Sequence, residues 1–241
     1  MTLRNGLAAN TRWSDVLTLL TATGARPQAW AICERLMAAQ DYAGPVRWVI
    51  VDDGPEPQPV TFQREGWSLE LIRPLPFWRP GDNTQARNLL AGLAVIGADE
   101  RVVIIEDDDW YAPDWLTHVS SELARAELVG ETMARYYNVA KRIGRQLNNT
   151  AHASLCATAM RGRALALFRQ VCRPGRQFID LDLWKRAPSR HLFGGHRVVG
   201  IKGMPGRGGI GMGHSDAFRG VNDRDGSLLW EWIGADAELY R

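Results

Sequence analysis

Four consecutive carboxylates, Glu106-Asp107-Asp108-Asp109, follow an apolar stretch at residues 101–105 and lead into Trp110. The stretch has the length and composition of a buried β-strand, so the charges fall at its C-terminal end. Adjacent carboxylates stay ionised together only when something cationic sits among them. A solvated acidic turn is one way to satisfy that demand. A hard divalent ion is the other, since such ions gather several oxygen ligands at one point. Open α/β sheets bind ligands outside the carboxyl ends of their strands, and this placement favours a metal site.

The flanking pattern supports such a sheet. Residues 15–21 form a short apolar run rich in β-formers, followed by the turn Thr23-Gly24-Ala25-Arg26-Pro27, with Pro suited to a first helical turn. Trp30, Cys33, Leu36 and Met37 then recur at helical spacing over residues 28–40. A second strand at 46–51 ends in Asp52-Asp53-Gly54, and a third is expected at 69–72 after a Pro-rich loop. Strand, helix and strand within this span begin a parallel sheet. Asn83 is expected to cap a helix running through Ala86, Leu89, Leu90, Leu93 and Val95 to Gly97. Pro113-Asp114 opens another, with Leu116, Val119 and Leu123 facing inward. Further on, strands are expected at 132–139, 142–147 and 197–201, and helices at 164–171 and 180–186. A Gly-rich segment at 205–213 ends at His214.

With 241 residues, the chain is expected to be a single domain: a nucleotide-binding half at 1–125 and an acceptor-binding, catalytic half at 126–241. Residues 1–15 lack the apolar region of a secretory signal, and no apolar run reaches the length of a membrane span. Cys33, Cys156 and Cys172 are odd in number and far apart, which fits reduced thiols and a cytoplasmic location. Charge is unevenly divided. Residues 1–120 carry 10 basic and 16 acidic side chains, whereas residues 132–219 carry 16 basic ones against Asp180, Asp182 and Asp216. Such asymmetry points to an anionic partner for the second half.

Five motifs, in order over residues 16–186, resemble those of family-2-type glycosyltransferases. They are Thr23-x-x-Arg26-Pro27, Val51-Asp52-Asp53-Gly54, Ala86-Arg87-Asn88, Glu106-Asp107-Asp108-Asp109 with its trailing Tyr111-x-Pro113, and Asp180-x-Asp182-Leu183-Trp184-x-Arg186. Two positions depart from the family's pattern: Glu106 stands where Asp is usual, and Ile179 where Glu often precedes the catalytic Asp. The resemblance implies a GT-A-like, mostly parallel Rossmann-type α/β sheet flanked by helices, with a more irregular α+β acceptor half. It also implies a nucleotide-diphosphate sugar donor, most often a UDP-sugar, and Mn²⁺ or Mg²⁺ bridging the diphosphate as a Lewis acid. Asp108 and Asp109 are the implied metal ligands, with His214 as a remote third. Thr23, Arg26, Asp52, Asp53, Arg87, Glu106 and Asp107 are expected around the nucleotide. Asp180, alone or with Asp182, is the implied general base, and a single base predicts transfer with inversion.

Each assignment has a plainer counterpart. Asp-Asp-Gly is also an ordinary turn, a His in a Gly-rich segment is also a surface residue, and Asp180 and Asp182 also suit a helix N-terminus. Trp184 reads more simply as core than as a pocket floor. Gly206-x-Gly208-x-x-Gly211 matches the dinucleotide-binding pattern but lies late in the chain without the required strand and helix. His191 and His196 lack further ligands for zinc. For the acceptor, Arg135, Lys141, Arg142, Arg145, Arg161, Arg163, Arg169, Arg173 and Arg176 fit a phosphate-rich polymer if they share one face. Hydroxymethylated bases in DNA are one expected acceptor, and a surface glycan or lipid-linked sugar is the alternative. A non-catalytic nucleotide-sugar-binding protein is the reading from another class.

Overall fold

The computed structural model describes residues 15–209 and 211–241; the stretch read above for a signal sequence lies almost wholly outside them. Strands β1 (Leu17–Thr23), β2 (Val46–Asp52), β3 (Trp67–Ile72) and β4 (Arg101–Ile104) pair in parallel, with β1 central between β2 and β4. Strand β5 (Trp110–Tyr111) leaves this sheet. Strands β6 (Leu128–Glu131), β9 (Thr158–Met160) and β10 (Arg190–Phe193) return to it, completing the order β10-β6-β9-β4-β1-β2-β3. Only β9 runs against the others. The fold is therefore mixed α/β with a mostly parallel central sheet, as expected.

Helices cover both faces, and the strand sequences show why. Leu17 and Leu19, Trp48 and Ile50, and Val103 and Ile105 belong to one core with helix α1 (Pro27–Ala38) and helix α3 (Trp115–Glu122). Leu20, Val49, Val51, Val102 and Ile104 belong to the opposite core. That core includes α2 (Gln85–Leu93), α4 (Gly162–Val171) and α5 (Ile179–Arg186). Alternation along each strand sends apolar side chains to both faces, which is how a parallel sheet is buried. Trp48 anchors the first core, with Trp30 and Phe62 ring centroids 5.2 Å away on either side.

A second sheet, β12-β8-β7-β11-β5, contains β7 (Arg135–Asn138), β8 (Ile143–Gln146), β11 (Val198–Lys202) and β12 (Val221–Asn222). Because β4 lies in the first sheet and β5 in the second, residues 106–109 are the crossover between them. The acidic run is thus held at the junction of the two sheets.

Several boundaries differ from expectation. Helix α2 starts at Gln85 after Thr84, not after an Asn83 cap, and stops at Leu93, short of Gly97. The Thr84 hydroxyl does not cap either, because it donates to Asp53 Oδ2 at 2.5 Å. Of the strand expected at 132–139 only β7 forms, at Arg135–Asn138; β6 of the other sheet ends just before it at Glu131, and Met133 between them takes a positive φ of 57° that turns the chain. The short strands β5, β9 and β10 were not legible in the sequence. Neither was the C-terminal helix α6 (Ser227–Ile233), whose start is organised by Asp223 accepting from the Leu228 and Leu229 amides.

Candidate active site

The four carboxylates are neutralised from within the chain. Arg26 reaches Asp107 Oδ1 at 2.7 Å and Asp108 Oδ2 at 2.5 Å, and the Thr23 hydroxyl donates to Asp107 Oδ2 at 2.7 Å. From the other side, Lys202 Nζ lies 2.8 Å from Asp109 Oδ1, 3.6 Å from Glu106 Oε2 and 3.8 Å from Asp108 Oδ1. Arg26 enters because Pro27 starts α1 just beyond β1; Lys202 enters because it ends β11 of the second sheet. The two cations thus come from the two sheets that flank the run. His214 Nε2 stands 3.9 Å from Asp108 Oδ2.

Burial and these cations divide the acids. Burial opposes the charge of Asp108, but Arg26, Lys202 and His214 outweigh it and hold the carboxyl down at about 2. Burial dominates at Asp107 and Asp109 and raises both above the usual carboxylate range. Burial works against Lys202, yet Asp108, Asp109 and Glu106 keep its ammonium well above the ordinary value. His214 is pushed down to about 4 by burial and by Lys202, so its imidazole is neutral near pH 7. An ionised Asp108 beside a neutral imidazole is an oxygen–nitrogen donor set that suits Mn²⁺ better than Mg²⁺, which favours oxygen ligands alone. A second group, Glu106, Asp109 and Cys156, places its ligand atoms within 4.8 Å of one another.

A cleft opens over this junction, lined by Thr23, Arg26, Gln85, Asn88, Glu106, Asp107, Asp108, Lys202, Arg207 and His214. The neighbouring groups at the ends of β1 and β2 are already engaged. Asp52 accepts from the Gly54 and Gln58 amides at 2.9 and 2.8 Å, fixing the turn after β2. Asp53, fully buried, receives Thr84, Arg87 at 2.8 Å and Arg207 at 2.6 Å. Arg207 also lies over the Trp78 ring, 5.0 Å from its centroid, and its amide donates to Ala25 O at 3.2 Å. The preceding Gly206 has φ +97°, and a Cβ there would come within 2.8 Å of Ala25 O. The Gly-rich segment is therefore seated directly on the turn after β1.

A larger, more apolar cleft adjoins the first and shares Gln85, Glu106 and Lys202 with it. Tyr136, Leu147, Leu155, Phe178, Ile179 and Leu181 supply its apolar lining, with His152, Ser154 and Asp180 among its polar groups. Asp180 lies in the first turn of α5 and makes no hydrogen bond or ion pair with another side chain of the described residues. Burial is the largest influence on it and raises its carboxyl above the usual range. A half-buried carboxylate with that bias is a proton acceptor of useful strength. Phe178 and Leu181 remain largely exposed beside it.

The structure thus brings Thr23, Arg26, Glu106, Asp107, Asp108 and His214 into one cleft and Asp180 into the next. Asp52, Asp53, Arg87 and Asp109 sit behind the cleft wall, and Asp182 pairs with Arg176. Trp184 is core, its indole donating to Thr158 Oγ1 at 3.2 Å. Lys202, Arg207 and Gln85 were missed; a Lys just before the Gly-rich segment and an Arg within it were the signals available. The basic stretch is largely occupied within the chain. Arg142 donates to Arg224 O, Arg161 to Leu123 O and Arg169 to Ile96 O, while Arg163 pairs with Glu127. The literal dinucleotide pattern lies after β11 and runs into a 3-10 turn, Met212–His214, not a helix. His191 pairs with Glu122 at 3.2 Å.

No protein-family model matches the chain, and no curated protein matches it. Solved structures do. Staphylococcus aureus TarS, a GT-A-type glycosyltransferase, superposes with a TM-score of 0.53 at 13% identity, over 74% of this chain and 35% of that one. TarS 1–349 in complex with UDP-GlcNAc gives 0.53 at 11% identity, over 84% and 61%. The complex with UDP gives 0.52 at 10%, over 76% and 60%. The fold resembles that of TarS. The chain spans about a third to three-fifths of the length of these neighbours, and at such identity the likeness concerns the fold alone.

Proposed function

We propose that the chain is a metal-dependent glycosyltransferase that moves a sugar from a UDP-sugar, with inversion, to a hydroxyl of a carbohydrate acceptor. The observation that carries this is the pair of adjoining clefts. One is an ionic cleft on the acidic run; the other is an apolar cleft holding Asp180; Glu106, Gln85 and Lys202 are common to both. UDP and UDP-GlcNAc are bound by TarS, the similarly folded neighbour.

In this reading the acceptor hydroxyl enters the apolar cleft and gives its proton to Asp180 as its oxygen attacks the anomeric carbon. The bond from that carbon to the diphosphate oxygen breaks, and the electron pair leaves on UDP. One displacement inverts the anomeric centre. Asp108 and His214 would hold the divalent ion, which supplies Lewis-acid neutralisation of the diphosphate. Arg26 and Arg207 line the donor cleft as further cations, and Thr23, Glu106 and Asp107 bound it toward the ribose. Asp52, Asp53, Arg87 and Asp109 act through the residues they position. Asp182, paired with Arg176, orients α5.

A second reading, transfer to hydroxymethylated bases in DNA, is favoured by the basic excess of residues 132–219. The carbohydrate reading is preferred because several of those arginines already bond within the chain. A UDP-sugar screen with Mn²⁺, offering oligosaccharides in one arm and hydroxymethylated duplex in the other, decides between them. Salt-sensitive duplex binding with transfer supports DNA. UDP bound without turnover in either arm supports a non-catalytic binder. Asp108→Ala is expected to weaken UDP binding in Mn²⁺ by about tenfold or more. Unchanged affinity with and without Mn²⁺ would remove the metal assignment.

A further inference from the structure

Lys202 is the most enclosed cation in the molecule's two-cleft centre, and the donor motifs do not include it. Its side chain is only 7% exposed and faces three carboxylates, Asp109, Glu106 and Asp108, at 2.8 to 3.8 Å. It cannot swing aside freely. Gly213 packs on its stem, where a Cβ would come within 2.5 Å of Lys202 Cγ, and the Tyr136 ring lies 5.9 Å from Nζ on another side. Asn138 holds the same turn through Gly213 O at 2.9 Å. The next residue, His214, is the one that faces Asp108. The ammonium, the Gly213 turn and the His214 imidazole therefore form one packed unit over the acidic run.

This arrangement has a consequence for divalent ions. Three carboxylates that would otherwise attract a metal already surround a fixed positive charge, and Arg26 holds a fourth together with Asp108. A dication entering that space meets repulsion from Lys202 as well as attraction from the acids. A nucleoside diphosphate brings the additional negative charge that tips the balance. Building on the donor-site reading above, we infer that Lys202 is a built-in counter-cation that keeps the acidic run from binding a divalent ion until a nucleoside diphosphate arrives. Metal and nucleotide then bind as a mutually dependent pair, and by linkage each tightens the other by the same factor. Lys202 is a positioning residue here, acting on the ion through the carboxylates it holds.

The test measures Mn²⁺ binding by the full chain through loss of the free-ion EPR signal, with and without UDP. Wild type, Lys202→Met and Lys202→Arg are compared. Wild type is expected to bind Mn²⁺ at least about tenfold more tightly with UDP than without. Lys202→Met is expected to raise the nucleotide-free Mn²⁺ affinity by about tenfold or more, and Lys202→Arg to stay near wild type. Equal wild-type affinity with and without UDP overturns the inference, as does an unchanged nucleotide-free affinity in a folded Lys202→Met. Should Lys202→Met fail to fold, the two wild-type measurements decide. Failure of UDP to bind at all counts against the donor-site reading instead; Lys202→Met against wild type without nucleotide then still tests the lysine.

Discussion

The two adjoining clefts handle charge in opposite ways. In the ionic cleft nearly every acid has a chain cation within reach: Asp107 and Asp108 have Arg26, Asp109 has Lys202, and Asp53 behind the wall has Arg87 and Arg207. In the more apolar cleft Asp180 has no ion pair among the described residues, and burial raises its carboxyl. On the proposed function, the difference follows from what each cleft would meet. A diphosphate needs rigid, neutralised surroundings where its charge develops, whereas a general base must take up a proton and is weakened by a paired cation.

Removing Arg26 is expected to have the largest effect on this contrast. Arg26→Met leaves Asp107 and Asp108 buried without their guanidinium, and a loss of about 3–5 kcal/mol of folding stability is expected by urea denaturation. A loss below about 1 kcal/mol would mean that the ionic cleft does not depend on chain cations.

On the other side of the contrast, Asp180→Asn should lower the transfer rate by about a hundredfold to a thousandfold while leaving UDP affinity intact. Near-normal turnover in that variant would end the base assignment. Because the Asp180 carboxyl lies above the usual range, the acid limb of the wild-type rate profile should also sit above that of an ordinary aspartate.

A pH effect distinguishes His214 from Asp108. The folded His214 titrates at about 4, below the value of about 6.5 for an unfolded chain. Its contribution to stability is thus present above about pH 6.5 and is lost as pH falls toward 4, amounting to about 2 kcal/mol by pH 5. Asp108, held at about 2, contributes above its unfolded value of about 3.9 and fades only below that. Urea midpoints for wild type and His214→Gln at pH 7.5 and pH 5 should separate the two, with the upper step missing from the variant. An identical drop in both would show that His214 is not the source.

The smallest effect is expected at the mouth of the apolar cleft. Phe178 is 59% exposed, takes φ +54° and immediately precedes α5. Phe178→Ala should leave folding and UDP binding unchanged and raise the acceptor KM by about threefold to tenfold, the range expected for one lost ring contact. An unchanged KM for every acceptor tried would show that the ring lies off the acceptor path.

Much of the donor side was legible because it is local. The alternation in β1, β2 and β4, the turn at Arg26-Pro27 and the carboxylates after β4 are each written in a few neighbouring residues. The acceptor side was less so. Strands β6, β9 and β10 span three or four residues each, too short for a period to declare itself. The chain passes from β6 in one sheet to β7 in the other across a positive backbone angle at Met133, which no periodicity announces. Nor did the sequence distinguish Asp180 from Asp182. They lie two residues apart, and only the packing of α5 turns one toward the cleft while the other meets Arg176.

The acidic run shows where sequence ends and structure begins. Composition alone determined that Glu106-Asp107-Asp108-Asp109 needs positive charge, since adjacent carboxylates cannot be buried ionised without it. Which charge meets them was decided by tertiary structure. Arg26 lies some eighty residues before the run and Lys202 more than ninety after it, and no local pattern links them. They converge because β4 and β5 belong to different sheets, so the crossover between them is enclosed from both sides.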